Sequence, residues 1–398
     1  MKPSKYRPTQ LSGSVHFRFP AISHPNFGMT KVTGQFRRIQ PNFFRLEVDP
    51  SIIDNLANRY YKLANKCGFR DHHFKRCSIK TIILTAVQCS LYWMPDVEID
   101  SNEMDFMIRF CIWVWFLDDA IEEDWTNISG KPDITELRAV NEIYVGIFGG
   151  VKKFRNEAMT FPGFPEFGPM CVLAEDVVRV GKQILGKETY EKDVTIVTAS
   201  LQKYFESNHW FTVNPVYGRY NIATFQSWRY HDSGAPLALA AIAMIKQIRI
   251  AQDISTHPAF SRMVDIAVKN THMANDILGV TKDFAYGEGD VDSEIVFRVL
   301  LKKESLQGAV DAVCGMINED LEDLILIKET LIHLISEEEN LFRFFDVVDS
   351  FIDGQNWLYV DNVRYKCERG FVRLSRDEED LKIRDDTICR DLNYIINN

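Results

Sequence analysis

The sequence is short of the features that mark disulfide-bonded, membrane-spanning and nucleic-acid-binding proteins. Its eight cysteines are scattered without a CxxC pair, which argues against a zinc site or a disulfide framework and favours reduced, mostly buried thiols. The longest apolar stretches, around 112–117 and 235–245, are too short to span a bilayer. Lys and Arg number 46 against 56 Asp and Glu, a net charge of −10, so we expect no nucleic-acid or anionic-membrane partner.

The residue pattern also predicts neither a secretory signal nor a histidine-based metal site. The basic residues of positions 1–17 are not followed by an apolar segment, so we expect a cytoplasmic protein. The nine histidines show no metal-ligand spacing, and the one adjacent pair, His72-His73, would point to different sides of a helix.

Apolar residues recur at helical spacing over most of the chain, starting with Ile52, Leu56 and Tyr60. No run of alternating strands is evident, and the proline-rich residues before about 47 read as irregular. The later helical patterns cover 74–93, 101–123, 133–149, 169–184, 187–210, 222–250, 257–286, 291–303, 306–338 and 340–360.

These patterns predict an all-α fold with a single helical domain over 48–370, an N-terminal extension at 1–47 and a charged tail at 371–398. Two helices, at 111–117 and 237–245, are apolar nearly all round and must be surrounded by other helices. A bundle arranged around a central active-site cavity meets that requirement.

Three carboxylates lie near the end of the apolar helix predicted at 101–123. Asp118 and Asp119 follow directly on the run CIWVWFL, and Asp118 shares a helix face with Glu122, four residues on. Carboxylates beside apolar residues are costly without partners, and oxygen ligands at this density suit Mg²⁺. The alternative is a solvated helix end, as in the acidic run at 319–323, but that run lies in a polar stretch.

A second set of oxygen-bearing side chains lies in the helix at 257–286. Asn275, Gly279 and Asp283 are spaced by four and form one ridge, with oxygen ligands at its two ends. Lys282 is adjacent and can contact a phosphate as a point charge. Taken alone, this spacing is equally typical of an ordinary helix end.

Together the two motifs resemble those of class I terpene synthases of the microbial type and, more loosely, of animal members from corals. That family combines an Asp-rich motif with an NSE motif, Asn/Asp-Asp-x-x-Ser/Thr/Gly-x-x-Lys/Arg-Asp/Glu, which residues 275–283 match. Gly279 stands where Ser is commoner, which removes one ligating hydroxyl that a water would replace. The resemblance implies metal ligands at Asp118, Asp119, Glu122, Asn275, Gly279 and Asp283.

The resemblance extends to residues that contact the diphosphate. Arg229 stands at the family's spacing before the NSE motif as a diphosphate sensor, followed by Asp232 and Ser233 as linker and effector at a helix break. Gly234 and Pro236 supply the means for that break. The implied substrate contacts come from Arg229, Lys282, Arg364 and Tyr365, with Trp113, Phe116 and Trp357 as aromatic candidates for stabilising a cation.

The resemblance implies a terpene cyclase that ionises and cyclises a linear isoprenyl diphosphate and releases diphosphate. Geranylgeranyl diphosphate is slightly favoured over farnesyl diphosphate as substrate. The implied cofactor is Mg²⁺, three ions in number, with Mn²⁺ as a substitute. The sequence leaves open whether the protein forms a homodimer.

Two other functions also stay open. A chain-elongating isoprenyl diphosphate synthase shares the fold and the metal chemistry, but it would carry two Asp-rich motifs. A catalytically inactive isoprenoid-binding helical protein would bind substrate without turnover. The intact motifs and Arg229 argue against inactivity, whereas Gly279 leaves room for it.

Overall fold

A computed structural model of the chain describes residues 8–24, 28–43, 48–71, 77–123, 134–151, 166–213, 221–286, 293–334, 338–365 and 370–375. These residues divide into two compact units. The sheet-bearing unit comprises the described parts of 1–42, 217–226 and 251–398, and the helical unit comprises those of 43–216 and 227–250.

The helical unit is built from amphipathic and fully apolar helices with local capping signals. Asp49 caps the first helix by accepting the backbone N–H of Ser51 at 2.8 Å, and Ser78 caps the second through Thr81. The helices are α1 (Pro50–Cys67), α2 (Ile79–Trp93), α3 (Asn102–Glu123), α4 (Ile134–Phe148), α5 (Phe167–Leu185), α6 (Lys187–Val213), α7 (Ile222–Asp232), which starts in the sheet-bearing unit, and α8 (Ala235–Ile245).

An aromatic core holds the helical unit together around α3, which packs against α2, α5 and α8. The Trp113 ring is fully buried and meets Tyr144 and Phe148 edge to face, at centroid distances of 5.3 and 4.7 Å. This packing explains why α3 is apolar on nearly every side over 110–117.

The helices of the sheet-bearing unit pack mainly on α10 and α13, and α10 also contacts α14. A 3-10 turn at Val363–Tyr365 follows α14 after Asn362. The helices are α9 (Gln252–Ser255), α10 (Pro258–Leu278), α11 (Val280–Tyr286), α12 (Glu294–Leu300), α13 (Leu306–Leu334) and α14 (Glu339–Asp361).

A three-stranded antiparallel sheet completes this unit. Strand β1 (Gln10–His24) pairs with β2 (Gly28–Gln40) on one side and with β3 (Phe371–Leu374) on the other. Strand β2 packs on α13, and β3 packs on α14. The expectation that the first 47 residues are irregular is therefore wrong for both strands.

Two features conceal this hairpin in the sequence. Val15, Phe17 and Phe19 do alternate inward, but Pro20 follows, and the pairing shifts register between Phe19 and Ile22. In β2 the inward series contains Arg38, a charged residue that is only 5% exposed. An apolar-alternation test fails where a buried position is filled by a paired charge.

The predominantly helical fold is confirmed, with two of the expected helices interrupted. The pattern at 222–250 contains α7 and α8, and the pattern at 257–286 contains α10 and α11. The six cysteines in the described ranges form no disulfide with one another, and five of them are buried. None of the described helices is long and apolar enough to cross a bilayer.

Candidate functional site

The acidic motif lies in the last turns of α3. Asp119 is 2% exposed, whereas Asp118 is half-buried. The hydroxyl of Tyr204, a buried residue of α6, donates to Oδ1 of Asp118 at 3.2 Å. The backbone of Glu122 belongs to α3, but its side chain lies outside the described part of the structure.

The break between α7 and α8 occurs where Gly234 and Pro236 predict it. Gly234 adopts a left-handed conformation with φ of 67°, which a residue without Cβ accepts at little cost, and Pro236 stands in the first turn of α8. The Ser233 hydroxyl donates to the carbonyl of Tyr230 at 3.1 Å and accepts the N–H of Ala235 at 3.3 Å. These bonds fix the turn.

Arg229 lies one turn before this break. Its guanidinium Nη1 donates to Oδ2 of Asp232 at 3.0 Å, and both side chains are largely buried, at 12% and 15% exposure. The pair keeps a cation and an anion in a partly desolvated position, where a competing anion of higher charge can displace the carboxylate from the guanidinium.

The second motif spans the junction of α10 and α11. Asn275 lies in the last turn of α10, Gly279 ends that helix, and Asp283 lies in the first turn of α11. The N–H of Gly279 donates to the Asn275 carbonyl at 2.7 Å, and the N–H of Asp283 donates to the Gly279 carbonyl at 3.0 Å. The four-residue bonding therefore continues across the junction and preserves the ridge.

Gly279 lies close to both ends of this ridge. A Cβ placed there would stand 2.8 Å from the Asn275 carbonyl oxygen and 3.6 and 3.7 Å from the carboxylate oxygens of Asp283. A serine at 279 would thus bring a hydroxyl to the Asp283 carboxylate, but only after the backbone at Asn275 shifts.

The Asn275 amide is bound by two phenols. Its Nδ2 donates to the Tyr359 hydroxyl at 2.7 Å and to the Tyr365 hydroxyl at 3.4 Å. The two tyrosine rings meet edge to face with centroids 4.5 Å apart, and both residues are buried. Gln355, one turn before Tyr359 on α14, donates its Nε2 to the same Tyr359 hydroxyl at 2.5 Å.

Asp276, the residue after Asn275, has a structural contact instead. Asp276 is fully buried and accepts the backbone N–H of Glu294 at 2.7 Å, which fixes the start of α12. The side chains of Lys282 and Arg364, both expected to contact diphosphate, lie outside the described part of the structure.

The three aromatic candidates have distinct surroundings. Trp113 uses its indole N–H on the carbonyl of Met170 at 3.1 Å, within the core. Phe116 is buried against Phe69, with centroids 4.3 Å apart. Trp357 donates to Asp353 at 3.2 Å, and the Arg38 guanidinium lies 5.6 Å from its ring centroid.

The donor chemistry of both motifs fits a hard divalent cation. Within the described ranges, no three His, Cys, Asp or Glu side chains form a ready metal cluster. The helical unit instead offers Asp118 and Asp119, and the sheet-bearing unit offers Asn275 and Asp283. Mg²⁺ commonly takes only one or two protein carboxylates and completes its shell with water and substrate phosphate oxygens.

Three residues of these surroundings escape sequence reasoning. Tyr204 contacts Asp118 although the two residues are 86 positions apart, and no local sequence pattern predicts this contact. Gln355 and Tyr359 lie four residues apart on one face of α14, and this spacing is the sequence feature that could have indicated their hydrogen bond.

Comparison with known proteins agrees with this geometry. Residues 109–323 match the family model described as terpene synthase family 2, C-terminal metal binding. That range contains Asp118, Arg229, Asn275 and Asp283. No functionally curated protein matches the chain.

Solved structures with the same fold include several terpene synthases of low sequence identity. Linalool/nerolidol synthase from Streptomyces clavuligerus is 12% identical with a TM-score of 0.59, over 79% of this chain and 97% of that one. 2-Methylisoborneol synthase from Streptomyces coelicolor, solved with Mg²⁺ and geranyl-S-thiolodiphosphate, is 12% identical with a TM-score of 0.59, over 82% and 98%. A cucumene synthase variant is 11% identical with a TM-score of 0.60, over 79% and 96%.

Proposed function

The chain belongs to terpene synthase family 2, and from this membership we propose that it ionises and cyclises a linear isoprenyl diphosphate. The observation that carries the proposal is the pair Asp118-Asp119, which directly follows the apolar run 110–117 of α3 and has one carboxylate buried, inside the matched family region. A solvated helix end would not bury Asp119 to 2% exposure.

The cofactor in this proposal is Mg²⁺. Each unit supplies its own ligands: Asp118 and Asp119 on α3 of the helical unit, and Asn275 and Asp283 at the α10–α11 junction of the sheet-bearing unit. Mg²⁺ supplies charge stabilisation for the diphosphate leaving group. The support is the all-oxygen donor chemistry of both motifs, and 2-methylisoborneol synthase as a related fold solved with Mg²⁺. Glu122 is retained as a further ligand, and Gly279 as a position that a water completes.

Arg229 has the role of diphosphate sensor in this proposal. Its guanidinium is pre-oriented by Asp232, next to the left-handed turn at Gly234. An incoming diphosphate carries more charge than one carboxylate and can take over a bidentate contact with the guanidinium. Release of Asp232 then alters the turn at Ser233, which couples substrate binding to the start of α8.

The remaining polar contacts are assigned to Lys282, Arg364 and Tyr365. Tyr365 carries a buried hydroxyl on the 3-10 turn after α14, and that hydroxyl already accepts from Asn275. A hydroxyl in this position can donate to a diphosphate oxygen while it keeps the amide contact.

An allylic cation formed by ionisation must be kept from water and stabilised by apolar and aromatic surfaces. Phe116 and Trp357 remain our aromatic candidates, and Trp113 supports α3 through its core packing. We favour geranylgeranyl diphosphate over farnesyl diphosphate, on the loose resemblance to coral members.

The test is turnover of the purified protein with Mg²⁺ on geranyl, farnesyl and geranylgeranyl diphosphate, with products identified by gas chromatography and mass spectrometry. We expect diphosphate release and a cyclic product from at least one substrate, without isopentenyl diphosphate. A requirement for isopentenyl diphosphate would instead establish a chain-elongating synthase. Substrate binding without diphosphate release would establish an inactive isoprenoid-binding protein.

A further inference from the structure

We propose that Tyr359, supported by Gln355, is a positioning residue that orients the Asn275 side chain for metal binding. The inference rests on the proposed function and deepens it, because it concerns a residue outside both metal motifs. Tyr359 contacts no reacting atom in this view and acts through Asn275.

The contacts form a short relay on one side of Asn275. The amide Nδ2 donates to Tyr359 at 2.7 Å, and Gln355 donates to the same phenolic oxygen at 2.5 Å. Tyr359 is 1% exposed and Gln355 is 5% exposed, so neither bond competes with bulk water. The more distant Tyr365 hydroxyl, at 3.4 Å from Nδ2, adds a weaker contact on the same nitrogen.

These hydrogen bonds determine which end of the Asn275 amide faces a ligand. An asparagine carries both of its hydrogen-bond donors on nitrogen and its lone pairs on oxygen. Anchoring Nδ2 to the phenols fixes which end of the amide faces away from them. Oδ1, the atom suited to a hard cation, is therefore the end left for a ligand, and a 180° rotation of the amide would place nitrogen there instead.

Gln355 holds the Tyr359 hydroxyl in place. A phenolic oxygen can accept two hydrogen bonds and donate one. With Gln355 donating to it, Tyr359 keeps one acceptor site for the Asn275 amide. The edge-to-face contact with Tyr365 at 4.5 Å fixes the ring itself. Groups that hold a metal ligand in this way typically change metal affinity or activity by about 10- to 100-fold when removed.

Tyr359→Phe removes the phenolic oxygen and keeps the ring. We expect the affinity of the protein for Mn²⁺ in the presence of inorganic diphosphate, measured by electron paramagnetic resonance, to fall about tenfold. The matched control is Tyr190→Phe, which removes another buried hydroxyl, bonded to the Phe148 carbonyl at 3.2 Å in the helical unit. The control should lose similar thermal stability and bind Mn²⁺ like the wild type.

A second pair of variants tests whether the effect passes through Asn275. In the Asn275→Ala background, Tyr359→Phe should cause no further loss of Mn²⁺ affinity, because the amide it orients is gone. Equal losses in both backgrounds would overturn the inference, as would a Tyr359→Phe protein that binds Mn²⁺ as tightly as the wild type.

These outcomes are separable from a failure of the proposed function. If the wild type turns over an isoprenyl diphosphate and Tyr359→Phe leaves Mn²⁺ affinity unchanged, only the positioning role is wrong. If the wild type neither binds Mn²⁺ with diphosphate nor turns over any substrate, the metal role of Asn275 is wrong, and the positioning role with it.

Discussion

The two units of the molecule hold the two proposed metal motifs in different surroundings. In the helical unit, Asp118 and Asp119 lie at the end of a helix that is fixed by aromatic packing around Trp113, and the Tyr204 hydroxyl donates to Asp118 at 3.2 Å. In the sheet-bearing unit, Asn275 lies among polar groups that are themselves buried and paired, including Gln355 and Tyr359.

Buried charge pairs extend this polar character through the sheet-bearing unit. Arg38 of β2 binds Asp353 of α14 through two bonds of 2.9 Å, and both residues are at most 5% exposed. Lys328 of α13 is buried with Asp349 and Thr9, whose hydroxyl donates to Asp349 at 2.7 Å. Packing tolerates exchange of similar volumes, whereas a buried pair requires both partners. The sheet-bearing unit should therefore be the more sensitive to isosteric changes.

The largest effect is expected from removing one ligand of either motif. Asp118→Ala and Asn275→Ala should each lower kcat/KM by at least about a hundredfold, because a lost contact to the leaving group costs several kcal/mol of barrier. Steady-state kinetics with Mg²⁺ checks this. Asp323→Ala is the matched control from an exposed acidic run and should retain full activity. Wild-type rates for both motif variants would move the metal site elsewhere.

The next largest effect is on stability and concerns the sheet-bearing unit. Arg38→Met leaves Asp353 buried without its guanidinium and should lower the free energy of unfolding by about 3–5 kcal/mol. The adjacent Arg37→Met removes an exposed ion pair with Glu322 and should cost less than about 1 kcal/mol. Denaturant titration measures both. Arg38→Met with Asp353→Asn should recover part of the loss, and no recovery would contradict the charge explanation.

The Arg38→Met loss should also depend on pH. Burial raises the pKa of Asp353, against the lowering effect of Arg38 beside it. Without the lowering effect of Arg38, the pKa of Asp353 in the folded variant lies higher still than in the wild type. The deficit should be small in acid and should grow as the pH rises from the raised pKa of Asp353 in the wild type towards the higher pKa in the variant. A pH-independent deficit would argue against this account.

A smaller effect is expected at Tyr204 in the helical unit. Tyr204→Phe removes the hydroxyl that donates to Asp118 and should lower kcat/KM by about 3- to 10-fold, because a typical hydrogen bond contributes about 0.5–1.5 kcal/mol. With kcat/KM measured for both variants, Tyr204→Phe and Tyr359→Phe can be compared directly, because each change deletes one oxygen beside one motif. A larger loss of kcat/KM for Tyr204→Phe than for Tyr359→Phe would reverse the expected ranking of the helical and sheet-bearing units.

The smallest effect is expected at Gly279. Gly279→Ala and Gly279→Ser both place a Cβ 2.8 Å from the Asn275 carbonyl, so both should lower thermal stability to a similar extent. Only Ser adds a hydroxyl near Asp283. We expect the Ser variant to bind Mn²⁺ a few-fold more tightly than the Ala variant, as measured with inorganic diphosphate. Identical affinities would show that position 279 supplies no ligand.

Local patterns predicted most of the helices and both metal motifs, because helical periodicity and four-residue spacing are properties of short segments. The interruption between α7 and α8 was readable from Gly234 and Pro236. The break at Gly279 within 257–286 was not, since a helical pattern runs through it. Tyr204 and the pairing of Arg38 with Asp353 depend on residues far apart in sequence. A single sequence carries no signal for such contacts.

The pairing of β1 with β3 has a consequence for how the chain folds. The N–H of Ser375 donates to the carbonyl of Ser14 at 2.9 Å, so the sheet joins segments separated by 361 residues. During synthesis the β1–β2 hairpin emerges first, and one edge of β1 stays open until almost every other element has been made. The sheet is then among the last parts to close. Its closure also secures the chain after Tyr365, so the turn that we propose to contact diphosphate should acquire its final geometry late in folding.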